Sequence, residues 1–330
     1  MTKHKRTTQT KKRTEQGARK AQYRVRNWAA YNEALVKRGS LMLWISEEVL
    51  EGWRPLPAGR RRRGGQQAYS DLAIQCLLTV RALFGLAYRQ TEGFGRSLMA
   101  QLGLSLQVPD YTTLCKRSAE LEVELSPRRV AHATHIVVDS TGLKLYGEGE
   151  WKVRQHGYSK RRTWRKLHLS VDVATQDIQA VVVTEAGVDD AQAGRDLLRD
   201  TPGPIAQVSG DGTYDKRKFY DACSARGVPR VTIPPQHNAH IWQHGNSALP
   251  PLPRDQNMRR IRQVGRARWK QETGYHCRSL AETAVFRFKT IFGNTLQART
   301  PDRQTTEVRI KCAALNRMTQ LGMPDSYRLA

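Results

Sequence analysis

Cysteine is sparse in this chain. Five residues, Cys76, Cys115, Cys223, Cys277 and Cys312, are scattered over 330 positions, and no two form a Cys-x2-Cys pair. That spacing argues against a disulfide framework and a thiolate zinc site, and it fits a reducing cytoplasm. No stretch reaches the roughly 18 consecutive apolar residues that a membrane span requires. The basic N-terminus lacks a following apolar segment, so it does not read as a secretory signal. Acidic side chains are scarce: 30 Asp and Glu stand against 55 Lys and Arg, a net charge of +25 and a pI near 10.3. Such an excess calls for a polyanionic partner. The cations are spread along the chain rather than gathered on one amphipathic helix, which favours nucleic acid over a membrane surface. With 39% hydrophobic residues and a mean hydropathy of −0.63, the composition is that of a soluble globular protein of one large or two ordinary domains.

Three regions follow from the pattern. Residues 1–27 are rich in Lys, Arg, Thr and Gln, and read as a flexible basic tail able to lie along phosphates. Residues 28–130 carry helical periodicity, with helices expected over 32–37, 46–53, 71–84, 91–102 and 112–125. Asp71 is the expected N-cap of the third. Arg60, Arg61, Arg62 and Arg63 form a basic linker. The segments 91–102 and 110–125 have helix-turn-helix dimensions, which would place Tyr111, Thr112, Thr113, Lys116 and Arg117 at the head of a recognition helix; a plain helical bundle is the alternative.

From residue 131 to 330 the pattern becomes α/β. Strands are expected at 136–138, 166–172, 178–185, 205–209 and 230–233, with helices at 189–199 and 215–226. The order is three strands, helix, strand, helix, strand and a last helix. That describes a mixed sheet with flanking helices, in the order of an RNase H-like fold, preceded by an all-helical region. His237, His240 and His244 form a cluster in a Pro-rich loop that reads either as a metal site or as a polar loop.

Two strands end in aspartate, Asp139 and Asp211. If those strands are parallel neighbours, both carboxylates point into one crevice at the sheet's carboxyl edge. Asp172 ends a strand directed to the other edge, Asp190 reads as a helix cap and Asp215 as an N-cap. A third acid lies on the last helix. There Tyr275, Arg278, Glu282 and Lys289 fall within roughly 60° of one another at about 100° per residue, while Cys277, Leu280, Ala281, Ala284, Phe288 and Ile291 form the apolar back. Phe286 falls on the polar stripe without explanation. Converging carboxylates repel, and hard divalent cations with oxygen ligands relieve that repulsion. Two such ions about 3.5–4 Å apart suit in-line displacement at phosphorus.

The spacing Tyr275-x2-Arg278-x3-Glu282-x6-Lys289 resembles the signature carrying the catalytic glutamate of bacterial DDE transposases of the insertion sequence 5 family. Val137-Val138-Asp139-Ser140-Thr141-Gly142 and Gly210-Asp211-Gly212-Thr213-Tyr214-Asp215 are similar to that family's other two catalytic segments, and the three acids are roughly 70 residues apart. The resemblance implies catalysis by Asp139, Asp211 and Glu282 as ligands of two Mg²⁺ ions, with Mn²⁺ as a substitute. It implies binding to terminal inverted repeats, cleavage of the element ends and joining to target DNA by a dimer or larger assembly, in the cytoplasm at the nucleoid. Tyr275, Arg278 and Lys289 would contact phosphates. Trp151, Arg154 and Trp164 would contact or stack on unpaired bases, with hairpin packing as the alternative. Two other functions fit the same residues: a structure-selective nuclease of this fold, and a non-catalytic DNA-binding repressor. The repressor reading predicts a lost acid, and none is lost.

Overall fold

The computed structural model describes residues 23–55, 68–145, 164–243 and 251–329. Residues 1–22, Arg60 to Arg63, Trp151, Arg154 and His244 lie outside them; Tyr23 to Asn27, expected as the end of a flexible tail, are instead folded, with Tyr23–Val25 in a strand. The described residues open with β1 (Tyr23–Val25), α1 (Trp28–Lys37), α2 (Leu41–Trp44), α3 (Glu47–Glu51), α4 (Asp71–Phe84), α5 (Tyr88–Gln101) and α6 (Tyr111–Arg117). There follow β2 (Thr134–Leu145), β3 (Trp164–Asp172), β4 (Ile178–Glu185), α7 (Asp190–Asp200), β5 (Ile205–Ser209), α8 (Arg217–Ala225) and β6 (Arg230–Thr232). The last part holds α9 (Pro253–Glu272), α10 (Ser279–Phe292), β7 (Thr295–Leu296), α11 (Pro301–Gln320) and β8 (Ser326–Arg328).

The main sheet runs β4-β3-β2-β5-β6, with β7 paired to the end of β2. β2, β3 and β4 are antiparallel neighbours, while β5 and β6 run parallel to β2. This mixed sheet with helices on both faces is the expected RNase H-like arrangement. Its two faces follow from alternation along the strands. Ile136 and Val138 face α7 and α8, where Leu197, Phe219 and Cys223 complete one core. Val137 and Leu143 face α10 and α11, against Ala281, Ala284, Phe288, Cys312 and Leu315.

The helical region is not closed by its own residues. Ile74, Leu77, Leu78, Met99 and Leu114 pack with Ile310, Ala314 and Met318 of α11. Meanwhile Val308, Cys312 and Leu315 of the same helix face the sheet. One helix therefore separates two cores. Its buried polar groups are satisfied: Asn316 accepts from Ile178 N at 2.7 Å and donates to Ile178 O at 2.8 Å, and Lys311 pairs with Glu307 at 2.7 Å. β1 pairs with β8, tying the first described residues to the last.

Several expectations need correction. The helix expected over 112–125 stops at Arg117. Beyond it Leu121 and Val123 are buried between exposed neighbours, a strand-like alternation, and the extended chain is pinned by Asn316 Nδ2 to Leu125 O at 3.0 Å and by Arg128 to Asp177. Only a seven-residue helix remains where a recognition helix was expected. The N-cap of α4 is Ser70, whose hydroxyl accepts from Ala73 N at 3.1 Å; Asp71 instead pairs with Arg117. Asp215 caps no helix. It is buried and accepts from Arg254 Nε at 2.7 Å and Gln236 N at 3.1 Å. α9, α11 and the β1–β8 ribbon had no counterpart in the sequence pattern.

Candidate active site

β2 does not end at Asp139. Its pairing with β3 runs on through Asp139↔Leu169 to Lys144↔Trp164. The parallel ladder with β5 ends earlier, at Val137↔Ser209. Beyond Ser209 the chain turns toward β6, with Gly210 N donating to Thr232 O at 3.3 Å. Asp139 and Asp211 each lie two residues past a partner in that last pair. They therefore stand level where β2 and β5 part, at the carboxyl edge where an open sheet offers a crevice. Asp139 shares the side of Val137, the side covered by α10.

Tyr275 to Lys289 is not one helix. Gly274, in the left-handed region at φ +65°, ends α9 and redirects the chain. Tyr275–Arg278 then forms a single 3₁₀ turn, and α10 begins at Ser279. The apolar back holds as expected: Ala281, Ala284 and Phe288 are buried. Glu282 sits in the first turn of α10, half exposed and paired with Arg278. Arg278 Nη1 also lies 3.9 Å from Asp139 Oδ2. Asp139 Oδ1 accepts from Ser140 N at 2.9 Å, and Asp211 Oδ1 from Thr213 N at 2.9 Å.

The charges act on one another. Burial pushes the Asp139 carboxyl above its usual range; the Ser140 N–H and Arg278 hold it down, while Asp211 and Glu282 push it further up. Burial opposes the charge on Arg278, yet Tyr275, Glu282, Asp139 and Asp211 raise its pKa above the ordinary guanidinium value. Burial raises the Tyr275 phenol, with Arg278 and Arg266 opposing and Asp211 and Glu282 reinforcing. Asp139, Asp211 and Glu282 thus act on one another electrostatically, and Arg278 bridges Asp139 and Glu282.

The donor set is all oxygen, which suits Mg²⁺ or Mn²⁺. Among the described residues no three acidic, His or Cys side chains close around a point, and the Arg278 guanidinium provides the positive charge the acids require. The three carboxylates supply the oxygen ligands that a divalent ion takes, and Arg278 competes with such an ion for two of them.

The other expected residues are placed unevenly. Lys289 lies two turns beyond Glu282 and makes no ion pair with a described residue. Trp164 packs over Gly142, where an added Cβ would come within 3.1 Å of its ring, and Lys144 Nζ sits 5.9 Å from the ring centroid, so the hairpin-packing alternative describes it. Lys116 is exposed, but Arg117 is tied to Asp71 and to Tyr69 O at 3.0 Å. Asp172 is buried and holds the turn through Thr175 N at 3.1 Å. Asp190 pairs with Lys166 at 3.1 Å. His237 and His240 form no metal cluster with any described residue.

Sequence periodicity missed α9. Arg260, Arg262, Arg266 and Arg268 are exposed along it. Gly265, at φ +80°, breaks the helix and lets Arg260 fold back onto Glu272 at 2.8 Å. Trp269 stacks 5.9 Å from the Tyr275 ring and Lys270 Nζ lies 5.2 Å from it, so this basic helix abuts the carboxylate cluster. The charge run from Arg259 to Lys270 was the signal that could have found it.

Two family models, each described as a transposase DDE domain, match residues 36–148 and 131–317. The second covers more than half of the chain, which therefore belongs to the DDE transposase family. Three solved structures are similar. The piggyBac transposase synaptic complex with hairpin DNA aligns at TM-score 0.40 and 11% identity, over 86% of this chain and 73% of that one. A simian T-cell lymphotropic virus intasome in complex with the PP2A regulatory subunit B56 gamma aligns at TM-score 0.25 and 12% identity, over 62% and 64%. The Drosophila P element transposase strand transfer complex aligns at TM-score 0.28 and 10% identity, over 61% and 43%. Membership rests on the family match rather than on these likenesses.

Proposed function

We propose that this chain is an active DNA transposase of the insertion sequence 5 type. It binds the terminal inverted repeats of its element, cleaves there and joins the freed ends to target DNA. The observation that carries this reading is the register of β2 and β5, which sets Asp139 and Asp211 level, with Glu282 of α10 acting on the same carboxylate. In the first step a water oxygen attacks phosphorus at the element end and a 3′-hydroxyl leaves. In the second that hydroxyl attacks a target phosphodiester, its oxygen bonds to phosphorus and the target strand's 3′-hydroxyl leaves. Asp139, Asp211 and Glu282 would hold two Mg²⁺ ions, or Mn²⁺ in their place, which when bound supply positive charge to the attacking and leaving oxygens.

The chain's own residues bind and orient the DNA. Arg278 offers a forked donor to a phosphate and Lys289 a point charge. The exposed arginines of α9 extend that contact along the duplex backbone, and Lys116, Arg60 to Arg63 and the N-terminal tail add sequence-independent attraction. Pairing two element ends requires at least a dimer on DNA, in the cytoplasm at the nucleoid. The test is an end-cleavage and joining assay with Glu282→Gln. Binding is retained and both reactions fall below detection; cutting by the variant removes Glu282 from catalysis, and wild-type cutting without joining makes the protein a nuclease.

A further inference from the structure

Phe286 is 68% exposed. Among the described residues from Thr134 to Phe292 no other large hydrophobic side chain is so exposed. Its place explains more than its exposure does. It lies one turn after Glu282 and three residues before Lys289, and side chains at such spacings are neighbours on a helix. The nearby positions Ser279, Thr283 and Thr290 are exposed and polar. The face is therefore no apolar patch of the size that docks a protein, which needs a contiguous cluster of hydrophobic side chains. It is one flat aromatic ring between a carboxylate of the active site and a lysine without an ion-pair partner among the described residues. The back of the same helix is fixed in the core by Ala281, Ala284 and Phe288, so the ring is presented from a rigid element.

A ring so placed matches single-stranded nucleic acid, whose bases stack on aromatic faces while cations hold the adjoining phosphates. We propose that Phe286 stacks on an unpaired base beside the scissile phosphate and holds the DNA end open, with Lys289 taking the next phosphate. This rests on the transposase reading and assigns a base-stacking role in that site. Trp164, the other described aromatic considered for stacking, is engaged over Gly142.

The experiment compares two duplexes of arbitrary sequence in metal-free buffer: one fully paired, the other ending in three unpaired nucleotides that include 2-aminopurine. The wild type binds the open end about tenfold more tightly than the paired one and quenches the 2-aminopurine. Phe286→Ala loses the preference and the quenching but keeps its affinity for the paired duplex, and Phe286→Trp restores both. A Phe286→Ala protein that keeps preference and quenching overturns the proposal, as does a wild type that shows neither. Mg²⁺-dependent cutting by the wild type and by Glu282→Gln is scored separately, on duplexes that carry the element's terminal inverted repeats. Absence of wild-type cutting counts against the transposase reading, whereas unchanged stacking signals in Phe286→Ala count against the stacking role alone.

Discussion

Arg278 Nη1 lies 3.9 Å from Asp139 Oδ2, while Nη2 of the same guanidinium pairs with Glu282. One arginine thus neutralises two of the three carboxylates. A divalent ion entering the site must compete with that charge, since at about 4 Å a unit charge is worth roughly 4 kcal/mol at an effective dielectric of 20. Arg278→Gln should bind Mn²⁺ severalfold more tightly than the wild type in the absence of DNA, by calorimetry, while losing end cleavage. An unchanged Mn²⁺ affinity would show that the guanidinium does not compete for the site.

Asp215 and Arg254 form a buried pair behind the Asp211 turn. Arg254 also donates to His240 O at 2.6 Å and lies 3.9 Å from the Trp242 ring centroid. Breaking a buried pair from one side costs up to about 3–5 kcal/mol, here partly offset because Asp255 Oδ1 stays 3.6 Å from Arg254 Nη1. Asp215→Ala should therefore lower thermal stability strongly, and Asp215→Ala with Arg254→Met should recover much of the loss. Equal melting temperatures for the single and double variants would contradict this.

The His168 side chain is fully buried, with Nε2 2.9 Å from Thr184 Oγ1. Burial pushes its pKa down to about 4, with Asp190 opposing and Lys166 assisting. The folded state favours the neutral ring. Its contribution to stability is complete above the ordinary value of 6.5 and drains as pH falls toward 4, a loss of about 3 kcal/mol. Chemical denaturation from pH 7 to pH 4 should show this slope in the wild type and a shallower one in His168→Gln. Parallel slopes would remove His168 as the cause.

Residues 1–22 precede the β1–β8 ribbon, so deleting them spares a folded element. The deletion should weaken DNA binding and flatten its salt dependence, by about 0.9 in log–log slope for each phosphate the tail neutralises. Arg262→Ala, on the exposed face of α9, should reduce the slope by about one such unit without altering the melting temperature. An unchanged slope in either protein would exclude that segment from the DNA path.

Legibility from sequence tracked how local the determinants are. α4, β4 and β5 have the bounds their periodicity gives, and the three acids were readable because each sits on a patterned element. The extension of β2 past Asp139 was not readable. The apolar run that marks the strand stops at Val138, but β3 holds the chain beyond it as a strand through Ser140↔His168 and Gly142↔Lys166. α9 hid behind its charge, since Arg254 and Asp255 are themselves buried. α11 hid because two opposite faces are buried, so no single apolar stripe emerges, and because Glu307, Lys311 and Asn316 are polar yet internal. Asp215 reads as a cap until Arg254, 39 positions away, supplies its partner.

The double duty of α11 sets the order in which the molecule can be completed during synthesis. Ile310, Ala314 and Met318 close the helical core, and Val308, Cys312 and Leu315 close the sheet core. Neither core has its last wall until Pro301–Gln320 has left the ribosome. A nascent chain arrested before Pro301 therefore exposes both unfinished interiors to proteases at once.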